Sequence, residues 1–376
     1  MGIYVHIPFC LSKCSYCDFY SLPTDDAELF DQYSSCLVEE LTRRAADYRL
    51  PFASIYLGGG TPSLLAPKHI ERIIDTIYKC YQAGNDPEIT LEVNPATVDR
   101  QDLEDFRRVG INRLSIGVQS FINRELKILG RMHDSQQASQ CIDWSHQAGF
   151  DNVSVDLIYG IPGQNKEDWL ASLIQAVNHE PQHISTYLLQ LEPDVPLARR
   201  IVSGALAMLN DKEESDLYYL ARDYLLEADY QHYELSNYAH RDRKSQHNMG
   251  YWGVCPYLGV GVGAVSFDGR QRSMNSPPLV EYLIALSHSV LPRQQILETM
   301  GRREQLSEAL VMGLRLVEGI EPGALCRRFG KDIWRPFQVT IDRLASQGLL
   351  VVEPDRIYLP PQVYFISNAV FREFVE

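Results

Sequence analysis

The chain has 376 residues, more than one average domain needs and enough to bury a large core without stapling. Hydrophobic residues make up 45%, aromatics 10% and charged residues 22%, an ordinary globular composition that argues against disorder or a fibrous repeat. The 35 basic and 49 acidic side chains leave a formal net charge of −14, which offers phosphate backbones no overall attraction and argues against a nucleic-acid partner. There is no apolar run long enough to span a bilayer, and Met1 to Phe9 lacks the basic and apolar regions of a signal peptide. A cytoplasmic location is therefore expected.

Short runs rich in β-branched and aromatic residues recur along the first half. They are Ile3 to Ile7, Ala53 to Leu57, Ile89 to Val93, Arg113 to Val118, Val153 to Ile158 and Ile184 to Leu191. Amphipathic stretches separate them: Asp31 to Tyr48, Pro67 to Tyr81, Asp99 to Val109, Ser135 to Ala148 and Lys166 to Val177, with Asp99 and Ser135 as start signals and Gly149 as a stop. Strands this apolar are buried on both faces, which favours a parallel sheet covered by helices. The fold class is read as α/β, a partial TIM-like barrel of six βα units, with a doubly wound open sheet as the alternative. In either layout, function concentrates at the C-terminal ends of the strands.

Beyond residue 200 the alternation stops. A helix is expected over Asp211 to Glu227, followed by Tyr230 to Tyr238, a polar run and the sequence His247-Asn248-Met249-Gly250-Tyr251-Trp252, read as a polar loop. A Gly-rich segment, read as a strand, spans Leu258 to Phe267. Leu306, Leu310, Leu314 and Val317 form a helical stripe, Glu321 to Phe329 a short helix, and Phe337, Ile341 and Leu344 mark a third. Leu349 to Val352 and Arg356 to Leu359 then read as a hairpin, completing a winged-helix-like module whose arginines are interspersed with acids. The expected organisation is a barrel over 1–225, a linking segment over 226–300 and the C-terminal module over 301–376.

Five of the eight cysteines are scattered, but Cys10, Cys14 and Cys17 crowd together in C-x3-C-x2-C spacing just after the first strand. A disulfide framework is not expected in a chain with so large a core. A structural zinc site needs four ligands; no second cysteine pair is present, so it would have to borrow His6. Three thiolates on one loop suit a cubane 4Fe-4S cluster with one iron left open to a ligand.

This triad at the end of the first of six βα units resembles the radical S-adenosylmethionine superfamily. There the open iron is chelated by S-adenosylmethionine, and an electron from the reduced cluster cleaves the sulfonium to methionine and a 5′-deoxyadenosyl radical. Gly58-Gly59-Gly60-Thr61-Pro62, alone a weak signal, is similar to the family's glycine-rich loop, which implies cofactor contacts from Gly59, Gly60 and Thr61. By the same resemblance Glu92, Gln119, Arg131 and Asp156, at or after strand ends, bind the cofactor, and Tyr4 and Tyr16 line its pocket. Carboxylates and amides suit ribose hydroxyls and the ammonium, and arginine suits the carboxylate. Taken singly, each has a bland alternative as a cap, a surface charge or a satisfied core group.

The phrase Tyr4-Val5-His6-Ile7-Pro8-Phe9-Cys10, with Gly-Gly-Gly-Thr-Pro at 58–62 and Gly-Val-Gln-Ser-Phe at 117–121, resembles the oxygen-independent coproporphyrinogen III oxidase branch. Those oxidases carry a further cysteine two residues after the third, where this chain has Phe19, and an N-terminal extension ahead of the first motif, where this chain begins at Tyr4 minus three residues. Both departures match the HemW-type heme chaperone family, whose members are similar also in a His-Asn-x-x-Tyr-Trp motif linked to heme binding. That resemblance implies heme as ligand, His247 as a heme-binding residue, and delivery to heme-accepting respiratory proteins at the membrane. Cys255 is an alternative thiolate ligand, with a buried structural thiol as its plainer reading. A homodimer is compatible with the sequence. The competing activity is oxidative decarboxylation of coproporphyrinogen III, and a radical catalyst with another substrate is a third possibility.

Overall fold

The structure is a computed structural model that describes residues 1–330 and 334–375. Strand β1 (Gly2–Ile7) is followed by the short paired strands β2 (Phe9–Cys10) and β3 (Leu22–Pro23), which close the cysteine loop, and then by β4 (Phe52–Gly59), β5 (Ala83–Val93), β6 (Arg113–Gln119), β7 (Val153–Tyr159) and β8 (His183–Leu188). Helices α1 (Ala27–Arg44), α2 (Pro67–Cys80), α3 (Arg100–Arg108), α4 (Asn123–Leu129), α5 (Ser135–Gln147) and α6 (Lys166–Asn178) fill the crossovers. All five pairings among β1, β4, β5, β6, β7 and β8 are parallel and follow chain order. A doubly wound sheet reverses its strand order at a switch point. This sheet does not, so the six βα units form the expected partial barrel, and among the described residues no pairing closes it.

Core positions follow the pattern that predicted them. Ile3, Val5, Ile7, Leu57, Leu91, Leu114, Ile116, Val153, Val155 and Ile184 are buried within one continuous cluster. Two helix starts differ from expectation. Helix α1 begins four residues before Asp31, capped by the Asp26 side chain, and α5 is capped by Asp134, not Ser135, through a reciprocal capping box with Gln137. The other box, Asp99 with Asp102, stands where the sequence put it.

Helices α7 (Pro196–Val202) and α8 (Asp211–Glu227) lead into the antiparallel hairpin β9 (Gln231–Glu234) and β10 (Asn237–Ala239), which extends the sheet beyond β8. The segment 247–252 is not a loop: α9 (Gln246–Trp252) is a short helix capped by Ser245. The Gly-rich segment returns to the sheet, with β11 (Tyr257–Val260) parallel to β1 on its outer side, and β12 (Val265–Phe267), β13 (Gln271–Asn275) and, after α10 (Leu279–Ser287), β14 (Gln294–Thr299) antiparallel beyond it. A Gly-rich strand was expected here; its pairing with β1 was not, because a partner brought from the start of the chain leaves no local signal.

The C-terminal part contains α11 (Arg302–Leu314), α12 (Pro322–Phe329), α13 (Gln338–Ser346), the hairpin β15 (Val351–Val352) with β16 (Ile357–Tyr358), and α14 (Ser367–Val375), which sequence reading missed. Leu306, Leu310 and Leu314 are buried as the stripe predicts, while Val317 lies past the end of α11. Arg328 ties this part to the rest, donating to the carbonyls of Gly253 and Val254 at 3.1 and 3.0 Å. No described helix is long and apolar enough to cross a membrane.

Candidate functional site

A cavity of about 450 Å³ opens along the C-terminal ends of the central strands. Its walls include Cys10, Cys14, Cys17, Tyr16, Gly59, Gly60, Thr61, Glu92, Gln119, Arg131 and Asp156, so eleven residues scattered over 147 positions of sequence meet around one space.

Cys10 is buried at the end of β2, and Cys14 and Cys17 are half-buried on the loop that follows; none is in a disulfide. The loop is held at both ends and in the middle. Leu22 N donates to Pro8 O and Thr24 N to Cys10 O, while Ser15 donates from N and Oγ to the carbonyls of Leu129 and Ile128 at the end of α4. Burial pushes the thiols of Cys10 and Cys17 up. No three His, Cys, Asp or Glu side chains among the described residues converge as a single-ion site demands. A cubane takes one thiolate per iron, so its ligands need not converge, and the donor set of three thiols on a walled loop suits it. The zinc alternative fails on His6: Nε2 donates to Tyr20 O and Nδ1 accepts from the Tyr4 hydroxyl, each at 2.9 Å, leaving no free nitrogen.

The glycine turn is dictated by close approach. Gly59 has φ +118°, and a Cβ there would sit 2.5 Å from the His6 ring; a Cβ on Gly60 would sit 2.5 Å from the carbonyl oxygen of Phe9. The turn thus presses against the start of the cysteine loop. Glu92 anchors it from the next strand, accepting from Gly59 N at 3.0 Å and from the Tyr56 hydroxyl at 2.9 Å. Burial pushes the Glu92 carboxyl up to about 7 in spite of those donors, and Asp156 adds to the rise.

On β6 the register shifts between Ile116 and Gln119, and Gln119 takes a left-handed backbone with φ +67°, unusual for a residue other than glycine. His133 Nε2 holds the kink by donating to Val118 O at 3.0 Å. Arg131, just past the left-handed Gly130, donates from Nη2 to Gly117 O at 2.7 Å and points Nη1 at Cys14 Sγ, 3.6 Å away. Its Nε is buried without a partner. Burial raises the Tyr16 phenol, against the opposing pull of Arg131. Asp156 accepts from the hydroxyls of Ser185, Ser115 and Ser154 at 2.7, 2.8 and 3.2 Å.

Two expected residues lie elsewhere. Tyr4 does not line the cavity; it stacks behind Tyr56, ring centroids 6.2 Å apart. His247, expected on an exposed loop, is 4% exposed. Its Nδ1 pairs with Ser54 Oγ and its Nε2 with the Tyr251 hydroxyl, each at 2.9 Å, and its ring stacks on Tyr56. As placed, neither nitrogen is open to an iron. Burial, with the nearby charge of Arg113, lowers its pKa to about 3. Cys255, by contrast, is exposed.

Sequence reading also missed residues. Tyr56, Arg113, Ser115, His183, Ser185 and Asn248 line the same cavity. Arg113 and His183 open their strands, far from the C-terminal ends where function was expected. An arginine opening the buried strand Arg113–Gln119 was the available signal.

A Radical SAM superfamily model matches residues 4–174, and a HemN C-terminal domain model matches residues 301–365. The chain is 37% identical to heme chaperone HemW of Escherichia coli (strain K12) over 72% of each protein. It is 32% identical to heme chaperone HemW of Mycobacterium tuberculosis (strain ATCC 25618 / H37Rv) over 99% of this chain and 94% of that one. Radical S-adenosyl methionine domain-containing protein 1, mitochondrial, of Danio rerio is 35% identical over 85% of this chain and 73% of its own. Among solved structures, coproporphyrinogen III oxidase (HemN) from Escherichia coli superposes with a TM-score of 0.86 over 99% of this chain and 89% of that one, at 23% identity, a likeness of fold. The chain belongs to the HemW heme chaperone family, within the radical SAM superfamily.

Proposed function

We propose that the protein binds heme and passes it to acceptor proteins, with a 4Fe-4S cluster on Cys10, Cys14 and Cys17 and S-adenosylmethionine in the adjoining cavity. The observation that carries this reading is the single cavity in which the three thiols, the glycine turn, Glu92, Gln119, Arg131 and Asp156 face one another. When bound, the cluster supplies one-electron chemistry at an iron with an open coordination site.

The chain's own residues divide the work of binding. The backbone of Gly59 and Gly60 and the side chain of Glu92 receive the cofactor's ammonium, and Arg131 receives its carboxylate. Gln119 and Asp156 hold the ribose hydroxyls, Asp156 from a seat already fixed by three serines. Tyr16 walls the site. Phe19, 61% exposed, lines the cavity and offers the flat apolar contact a porphyrin face takes. In this reading residues 1–225 carry the cofactors, 226–300 link, and 301–376 form the C-terminal module. The recipients are heme-accepting respiratory proteins at the membrane, reached from the cytoplasm.

The second position after the third cysteine argues against a porphyrin oxidase, since residue 19 is a phenylalanine and not a cysteine. The test incubates anaerobically reconstituted protein with S-adenosylmethionine, a reductant and coproporphyrinogen III, with heme binding titrated in parallel. Stoichiometric heme uptake without turnover supports the chaperone reading. Formation of protoporphyrinogen IX sinks it in favour of the oxidase.

A further inference from the structure

Arg113 and Gln119 are the first and last residues of β6, roughly 20 Å apart at about 3.3 Å per residue, yet both line the same cavity. The cavity therefore runs down the length of the barrel strand. On β5 and β6 the groups assigned to the cofactor lie above Arg113, Glu92 opposite Ser115 two residues on and Gln119 at the end of the strand. The lower end is built from Arg113, His183 and Asn248, none of which that reading uses.

Arg113 is 2% exposed, and its Nε has no hydrogen-bond partner. The nearest acid is Glu88, whose Oε2 lies 3.8 Å from that Nε, beyond hydrogen-bonding reach. Glu88 is already committed elsewhere, accepting from the backbone N–H groups of Gln246 and His247 at 3.0 and 3.1 Å. His183 is committed too, to Ser154 and Tyr233. A buried guanidinium short of partners is costly, and the fork of N–H donors is matched by a carboxylate. Asn248, on α9, adds an amide to the same floor, so the residue of the His-Asn-x-x-Tyr-Trp motif that faces the cavity is the asparagine and not the histidine.

We infer that the lower end of the cavity is a second ligand site, which takes the carboxylate of a small organic acid on Arg113 and Asn248. It rests on the cofactor reading only in being called second.

The probe is carboxyl-labelled butyrate, followed by NMR line broadening on the cluster-loaded protein with and without saturating S-adenosylmethionine. Expected is saturable binding that persists with the cofactor present and weakens about tenfold or more in Arg113→Met, the factor for losing one charge-assisted hydrogen bond. Asn248→Leu, which leaves the buried charges in place, serves if the arginine variant does not fold, and is expected to weaken binding several-fold. Absence of saturable binding, displacement by S-adenosylmethionine, or unchanged affinity in the folded variant overturns the inference. Calorimetry of S-adenosylmethionine on the same samples keeps the two readings apart. Its failure removes the cofactor assignment and leaves the butyrate result to stand or fall alone.

Discussion

Arg131 places one guanidinium nitrogen 3.6 Å from the sulfur of Cys14 while another donates to the Gly117 carbonyl at 2.7 Å, so one side chain spans the cysteine loop and the kinked end of β6. Removing it should loosen both. Arg131→Ala is expected to weaken S-adenosylmethionine binding by about tenfold or more, the loss typical of a charge-assisted hydrogen bond. Calorimetry on cluster-loaded protein checks this; unchanged affinity would take Arg131 out of the site.

If each thiolate of Cys10, Cys14 and Cys17 holds a different iron, serine at any one of them is expected to reduce bound iron and acid-labile sulfide to a small fraction of the native content. Serine at Cys36, Cys141 or Cys255 should leave both unchanged. Iron retention in a triad variant comparable to the native protein would contradict the assignment.

Glu92 gives a pH signature. Its folded carboxyl titrates at about 7, so it is neutral below and anionic above. If the anion receives the cofactor's ammonium, affinity should rise as pH increases from 6 to 8 and then level off. The Glu92→Gln profile should be flat and weaker throughout. A native profile that falls over this range would reverse the assigned role.

Gly59→Ala forces a side chain onto a positive φ and into the His6 ring, which Tyr4 and Tyr20 hold from both sides. A loss of about 2 kcal/mol or more in urea unfolding is expected. An alanine variant as stable as the native protein would mean the turn relaxes at no cost.

His247 belongs to the folded core in this geometry. Its pKa is lowered from 6.5 to about 3, so the native state binds fewer protons than the unfolded chain. The stability it contributes is fully present above pH 6.5 and is lost as pH falls toward 3. His247→Ala should cost about 2–4 kcal/mol through the cavity and the two orphaned hydroxyls, while the spectrum of the heme complex keeps its native axial signature. A changed axial signature at intact stability would restore the histidine as a ligand.

Much of this was legible in local patterns. The six apolar runs specified six parallel strands because burial on both faces leaves a mark at every position, and Asp99 announced its helix because a cap acts on the next three residues. Ser135 misled because Asp134, one residue earlier, has the better acceptor. The three cysteines were identified together because they share one short loop. Glu92 and Gln119 stand at strand ends, where a parallel barrel gathers its functional side chains, while Asp156 lies in the middle of β7.

The remainder depended on contacts between residues far apart in the chain. His247 reads as a polar loop residue until Ser54, from a strand 193 positions away, and Tyr251 take up its nitrogens. Arg113 reads as an odd charge opening a buried strand until α9 claims Glu88 and leaves the guanidinium facing a cavity. Residue type and spacing determined which chemistry this chain carries, since ligand identity and strand periodicity are local. Which groups are free to exercise it was decided only by tertiary structure, because a buried donor or acceptor is spent or unspent according to neighbours that no local window contains.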